Sequence, residues 1–190
     1  MIRSFVSELK GKLETFRTLN NNEIRKLNDI AKKYNIKYQN KHKLDLVDEI
    51  LSNVDVIPNS IALAQAAIES GWGKSRFAKE YNALFGEYTY DDSEGVIPLE
   101  RENGDTHLIK AFSSYSNSVE SYFDNINSHY AYEDFRDIRN IMRKRNNFSN
   151  VNLLVNKLST YAEDENYIKT IRQVIKTNNF AIFDQKTISY

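Results

Sequence analysis

The chain has 190 residues, with 26 Lys plus Arg against 26 Asp plus Glu, so it carries no formal net charge at pH 7. Balanced charge without a basic stripe excludes the electrostatic footprint of a nucleic-acid-binding surface, and the lack of cysteine excludes disulfides and Cys-ligated zinc. The hydrophobic share of 41% is enough for a buried core, and no apolar run approaches the ~20 residues of a membrane-spanning helix.

This length fits one ordinary domain, or a core domain with a helical appendage. Both prolines and five of the six glycines fall between residues 58 and 104. The flanks therefore favour helix and the middle carries the turns.

Residues 1–18 and 22–34 read as two helices, the second with Ile24, Leu27, Ile30 and Ala31 on one apolar face. A short helix fits 43–53 through Leu44, Val47, Ile50 and Leu51. Pro58 suits the first turn of the next helix, where its missing donor costs nothing. That helix runs to about Ser70 and is stopped by Gly71 and Gly73. Another short helix covers roughly 75–80.

Residues 85–112 change character. The segment 85–90 is strand-like, 91–95 is a turn, and 96–101 is a second strand whose Pro98 implies an edge. Asn103-Gly104 signals a hairpin, and 106–112 is a third strand. Asn117 with Glu120 resembles a capping box opening the following helix. Helices then fit 134–145, 150–161 and 164–178. The last is capped by Asp164 and carries Tyr167, Ile168, Ile171, Val174 and Ile175 on its apolar face. The expected fold is mostly α (α+β), with a small antiparallel β lobe at about 85–112 flanking a cleft in which a polymer can lie.

Glu69 is the first chemical candidate. It ends the apolar run from Ile61 to Ile68 and precedes Ser70-Gly71-Trp72-Gly73. A glutamate leaving a buried helix beside a tryptophan is placed to have its pKa raised, because desolvation disfavours the charged form. A raised carboxyl is what a general acid for glycoside hydrolysis requires. Ala62, Gln65 and Ala66 share its helix face and leave room for a substrate. The plainer reading is a helix-end carboxylate in an ion pair.

A second carboxylate has four candidates on the β lobe: Glu87, Glu94, Glu100 and Glu102. Separations of about 6.5–9.5 Å and 5–5.5 Å distinguish inverting from retaining mechanisms, and spacing along a chain does not supply that distance. Tyr130 and Tyr132 lie at a helix junction, where a phenol hydrogen-bonds a sugar or water, or packs locally. The tyrosines concentrated between 81 and 132, Tyr88 among them, are either core aromatics or the lining of a sugar groove. His42, His107 and His129 show no metal-ligand spacing. Phosphate-loop, zinc-protease and serine-hydrolase motifs are absent, so neither a metal nor a cofactor is expected.

The run Ile57 to Ser75, centred on Ala67-Ile68-Glu69-Ser70-Gly71-Trp72-Gly73, resembles the signature of bacterial β-N-acetylglucosaminidases of glycoside hydrolase family 73, in particular their Bax-like branch. Further matches follow in family order. They are Tyr81-Asn82-Ala83-Leu84-Phe85-Gly86, Gly95-Val96-Ile97-Pro98 with Thr106-His107 and Lys110-Ala111-Phe112, Asn127-Ser128-His129 to Phe135-Arg136, and Leu158 to Glu163 with Tyr167 and Ile171. The resemblance spans roughly residues 40–180.

It implies a lysozyme-like helical domain over 41–190, with residues 1–40 as a helical extension packed on it. It implies an enzyme that cleaves peptidoglycan glycan strands at N-acetylglucosaminyl β-1,4 bonds. Glu69 matches the general acid and Tyr132 the active-site tyrosine. Trp72, Asn82 and Phe85 match positions that shape the cleft, with Tyr88 and Tyr130 as further substrate contacts. Glu100, then Glu102, is the choice for the second carboxylate. Otherwise the substrate's acetamido group assists. Tyr81 departs from the family's first asparagine.

A non-catalytic glycan-binding relative and a helical interaction domain are the alternatives. The resemblance also implies a monomer in the periplasm or cell envelope. Residues 1–10 lack the apolar core of a secretory signal, so an export signal or anchor is expected to be absent from this chain.

Overall fold

The computed structural model describes residues 1–98, 106–148, 150–161 and 166–184. These form two compact units, Met1–Val56 with Asp124–Glu163 and Ile57–Phe123 with Asp164–Tyr190. Helices dominate, as expected.

In the first unit, α1 (Ile2–Glu14), α2 (Asn21–Lys33) and α3 (Lys43–Asn53) share an apolar core. Val6 and Leu9 of α1 meet Leu27 and Ala31 of α2 and Leu46, Val47 and Ile50 of α3. Each helix contributes residues spaced three or four apart, which is why the 3.6 periodicity was informative. Asn20 and Glu23 close a reciprocal capping box on α2, Asn20 Oδ1 accepting from the Glu23 amide and Glu23 Oε2 from the Asn20 amide. His42, exposed, caps α3 through Nδ1.

The same unit holds the 3₁₀ turn Tyr130–Tyr132, α7 (Glu133–Lys144) and the one-turn helix α8 (Asn152–Val155). The sequence suggests a longer helix over 150–161. Instead Lys157, Leu158 and Tyr161 donate to carbonyls three residues back, giving successive turns. Asn156, Ser159 and Thr160 are weak helix formers and allow that tighter path.

A polar cluster is buried in this unit. Arg139 of α7 is fully buried and donates to the carbonyls of Asn53, Asp55 and Val56 and to Asn127 Oδ1. Burial pushes its pKa down to about 9, so it stays charged at neutral pH. Asp55 accepts two bonds from Arg143 at 2.7 and 2.9 Å and pairs with Arg3 at 3.2 Å. One carboxylate thus ties α1 to α7.

The second unit is built on α4 (Asn59–Glu69), with α5 (Arg76–Tyr81), a small sheet and α9 (Tyr167–Thr177). Helix α6 (Tyr115–Ser128) contains the boundary between the units. Pro58 takes the N-cap of α4 rather than its first turn, its carbonyl accepting from Ile61 and Ala62. Proline has no side chain to cap with, and Asp184 does so instead, accepting from the Ser60 amide at 2.8 Å. A carboxylate there also meets the positive end of the helix dipole. Asp184 follows a 3₁₀ turn, Phe180–Phe183.

The β lobe is a three-stranded antiparallel sheet of β1 (Tyr88–Thr89), β2 (Gly95–Val96) and β3 (Leu108–Lys110), with β3 central. Tyr88 pairs with Ile109, and Gly95 with Lys110. Among the described residues β1 and β3 are shorter than the expected 85–90 and 106–112, and Asp91 accepts from Ser93 and Glu94, holding the expected turn. The Asn103-Gly104 hairpin and the Asp164 cap lie outside the described residues. Helix α6 begins at Tyr115, two residues before the expected Asn117. Ser114 Oγ accepts from the Asn117 amide and is the effective cap.

Gly95 starts β2 where no side chain fits: a Cβ there would lie 2.4 Å from Leu108 Cβ and 2.7 Å from Thr89 Cγ2. Gly95→Ala is expected to lower stability by about 1–3 kcal/mol through overpacking. Urea denaturation checks this, and a midpoint equal to wild type would contradict the close approach.

Candidate active site

Glu69 is the last residue of α4, and the helix end explains its setting. Ser70 follows and turns its hydroxyl back to the Ala66 carbonyl, while its oxygen accepts from the Gly73 amide. Gly71, Trp72 and Gly73 then take three successive left-handed conformations, with φ of 57°, 60° and 72°. Glycine adopts that region freely, but tryptophan does not. The turn leaves Trp72 55% exposed, with its ring 6.4 Å from the Phe180 ring. A bulky residue held in an unfavourable backbone region with its ring in solvent is a candidate ligand contact. Trp72→Gly is therefore expected to be more stable than Trp72→Ala by about 1 kcal/mol, since only glycine relieves the strain. Thermal unfolding of the two variants tests this, and equal stability would remove the strain argument.

The Glu69 carboxylate is partly buried. Tyr167 of α9 donates its hydroxyl proton to Glu69 Oε1 at 2.7 Å. Gln65, one turn earlier on α4, donates Nε2–H to the Tyr167 oxygen at 2.9 Å. Tyr122 of α6 donates to Gln65 Oε1 at 2.6 Å. Gln65, Tyr122 and Tyr167 are all buried, so a hydrogen-bonded ladder runs through apolar surroundings and ends on Glu69. Phe85 stacks on Tyr122 at 4.0 Å and closes one side.

On the other carboxylate oxygen stands Gly86, with φ of 62°; a Cβ on it would lie 3.8 Å from Glu69 Oε2. Burial raises the Glu69 pKa, and the Tyr167 hydrogen bond offsets part of that rise. Burial, followed by the negative charge of Glu69, pushes Tyr167 up, so its hydroxyl stays a donor. A carboxyl favoured in its protonated form and fixed on one oxygen can deliver a proton.

The other expected residues are distributed as follows. Asn82 ends α5 at φ 54° and donates to the Phe112 carbonyl at 2.9 Å, which ties α5 to the end of β3. Phe85 is buried against the ladder. Tyr88 is exposed on β1 with its ring 4.3 Å from His107.

Of the hairpin carboxylates, Glu87 follows Gly86 directly and accepts from Ser121 at 2.8 Å. Glu94 is exposed and pairs with Lys110. Glu100 and Glu102 lie outside the described residues. Tyr130 and Tyr132 belong to the first unit. Tyr130 is 80% exposed, and Tyr132 is buried with its ring 6.2 Å from Tyr161. Among the described residues no cluster of His, Asp or Glu suits a metal ion, and no helix is long and apolar enough to cross a membrane.

Sequence reasoning missed the roles of Tyr167, Gln65 and Tyr122. One signal was available: Gln65 is a lone amide inside an apolar helix run, and a buried amide demands partners.

Residues 44–180 match the glucosaminidase family, described as mannosyl-glycoprotein endo-beta-N-acetylglucosaminidase. The chain belongs to this family. Protein bax of Escherichia coli is 34% identical over 137 residues, covering 72% of this chain and 48% of bax. Peptidoglycan hydrolase FlgJ of Escherichia coli is 35% identical over 92 residues, covering 43% of this chain and 29% of FlgJ. The chain thus spans about half the length of the first relative and less than a third of the second. Among solved structures, the catalytic domain of the autolysin Auto from Listeria monocytogenes superposes with a TM-score of 0.52 at 17% identity, covering 94% of this chain and 96% of that domain. That likeness is one of fold, and it bears out the lysozyme-like helical architecture with a small β lobe.

Proposed function

We propose that this chain is a glycoside hydrolase that cleaves peptidoglycan glycan strands at N-acetylglucosaminyl β-1,4 bonds, with Glu69 as general acid. The observation that carries the reading is the half-buried Glu69 carboxyl, pinned through one oxygen by a buried tyrosine and raised by desolvation. Family membership and the resemblance to a peptidoglycan hydrolase support the substrate class.

In the reaction, Glu69 gives its proton to the glycosidic oxygen as the bond to the anomeric carbon breaks. The bonding electron pair leaves with that oxygen. The oxocarbenium-like centre is stabilised by a hairpin carboxylate, Glu100 first and Glu102 second, or by the substrate's acetamido oxygen. Water then adds at that centre and returns a proton to Glu69. Tyr132 helps position the reacting centre, and Trp72, Asn82, Phe85, Tyr88 and Tyr130 shape the groove.

Residues 41–190 constitute the glucosaminidase domain in this reading and 1–40 a helical extension. The core shared by α1, α2 and α3 supports that packing. The protein acts as a monomer in the periplasm or cell envelope.

Digestion of purified peptidoglycan, followed by borohydride reduction and mass analysis, tests the bond. The expected products carry reduced N-acetylglucosamine at the new end. Reduced N-acetylmuramic acid at that end would overturn the bond assignment. Binding to the glycan without any new ends would replace the enzyme by a binding relative.

A further inference from the structure

The ladder on Glu69 has a direction. The Gln65 amide nitrogen can only donate, so the Tyr167 oxygen accepts from it and the single Tyr167 proton goes on to Glu69 Oε1. Tyr122 sets that amide orientation by giving its proton to Gln65 Oε1. A reversed amide would place its oxygen against Tyr167 and draw the proton away from Glu69.

All three partners are buried, and an orphaned donor or acceptor there is costly, so the polarity is held by the ladder as a whole. Because Oε1 is already an acceptor, the proton of the neutral acid belongs on Oε2. That oxygen lies beside Gly86, where a Cβ would sit 3.8 Å from it.

We infer that Tyr167, held by Gln65 and Tyr122, is a positioning residue that fixes Glu69 through Oε1 and leaves the acid proton on Oε2, the oxygen beside Gly86. The inference deepens the reading of Glu69 as the acid and rests on it for its consequence in catalysis.

The surroundings of the pair are few in charge. Tyr167 comes from α9 and Tyr122 from α6, Gln65 of α4 is neutral, and the segment before β1 contributes the Gly86 backbone. Glu87, the next residue, is engaged with Ser121. Asp184 sits at the other end of α4, on Ser60. Among the described residues no cation acts on Glu69, whose pKa is shifted by burial and by Tyr167. Tyr167 is therefore the group that favours the ionised form, and removing it has a predictable sign.

The test is a carbon-13 NMR titration of the Glu69 carboxyl in wild type, Tyr167→Phe and Tyr122→Phe, with the pH dependence of reducing-end release measured alongside. In Tyr167→Phe the midpoint should rise by about 0.5–1 pH unit, since a hydrogen bond of ordinary strength to the charged form is lost. The basic limb of kcat/KM should rise with it. In Tyr122→Phe, which spares every contact of Glu69, the midpoint should rise by a smaller amount.

An unchanged or lowered midpoint in Tyr167→Phe overturns the inference. If that variant does not fold, an unchanged midpoint in Tyr122→Phe overturns it. A raised midpoint in a protein that releases no reducing ends leaves the ladder standing and removes instead the glycosidase reading.

Discussion

Glu69→Gln is expected to cut glycan cleavage by about 10²–10⁴-fold, the usual contribution of a positioned general acid, while the protein remains folded. Gln keeps the shape and can still accept from Tyr167, but it has no proton to give. The same variant should be the more stable protein above acidic pH. In the unfolded chain Glu69 titrates near the ordinary value of about 4.3, and burial raises the folded value above that. Below the ordinary value both states are protonated and wild type has its full stability. As pH rises through the interval up to the folded midpoint, the unfolded state ionises first and wild type loses stability. Gln does not titrate, so its advantage grows across that window and levels off above it. Denaturation of both proteins from pH 3 upward checks the sign. An advantage that shrinks as pH rises would mean that Glu69 is stabilised as an anion.

The largest stability effect is expected at Asp55. Its side chain is 2% exposed and holds Arg143 and Arg3, while its carbonyl accepts from Asn127 and Arg139. Asp55→Ala removes the carboxylate that, among the described residues, pairs with both Arg143 and Arg3 in a partly desolvated setting. Breaking a buried pair from one side costs about 3–5 kcal/mol. The Arg3 contribution is the smaller part, since that side chain is 26% exposed. Urea denaturation should show the loss, and Arg3→Ala should show only a fraction of it. A loss below about 1 kcal/mol in Asp55→Ala would mean that solvent reaches the cluster and screens it.

The two sites differ in how far they could be read from the chain. Glu69 was legible because its cues are local: an apolar run that ends in a carboxylate, followed by Gly-Trp-Gly. The spans of α2 and α3 were legible for the same reason, since apolar periodicity acts over a few residues, whereas their caps Asn20 and His42 were not read. The start of α6 was misplaced because Ser114 and Asn117 are both good caps, and the choice depends on which side chain reaches an amide. The partner of Glu69 was hidden, although Tyr167 was correctly placed on the apolar face of its helix. Its hydroxyl meets a residue 98 positions away, and no spacing rule covers that distance. The Asp55 cluster has the same character, with partners drawn from α1 and α7. The second carboxylate stayed open for a further reason: no local pattern singles out one glutamate among several between 85 and 112, and Glu100 and Glu102 lie outside the described residues.

The most direct test of Glu69 as the acid compares two pH midpoints in the same protein. One is the carboxyl midpoint of Glu69 by carbon-13 NMR, and the other is the basic limb of kcat/KM for reducing-end release from peptidoglycan, which reports the free enzyme. The account predicts that activity falls as pH rises through the Glu69 midpoint, that the two values coincide, and that the residual activity of Glu69→Gln, about 10²–10⁴-fold lower, lacks that limb. A limb displaced from the Glu69 midpoint, or cleavage within about tenfold of wild type in Glu69→Gln, would contradict it.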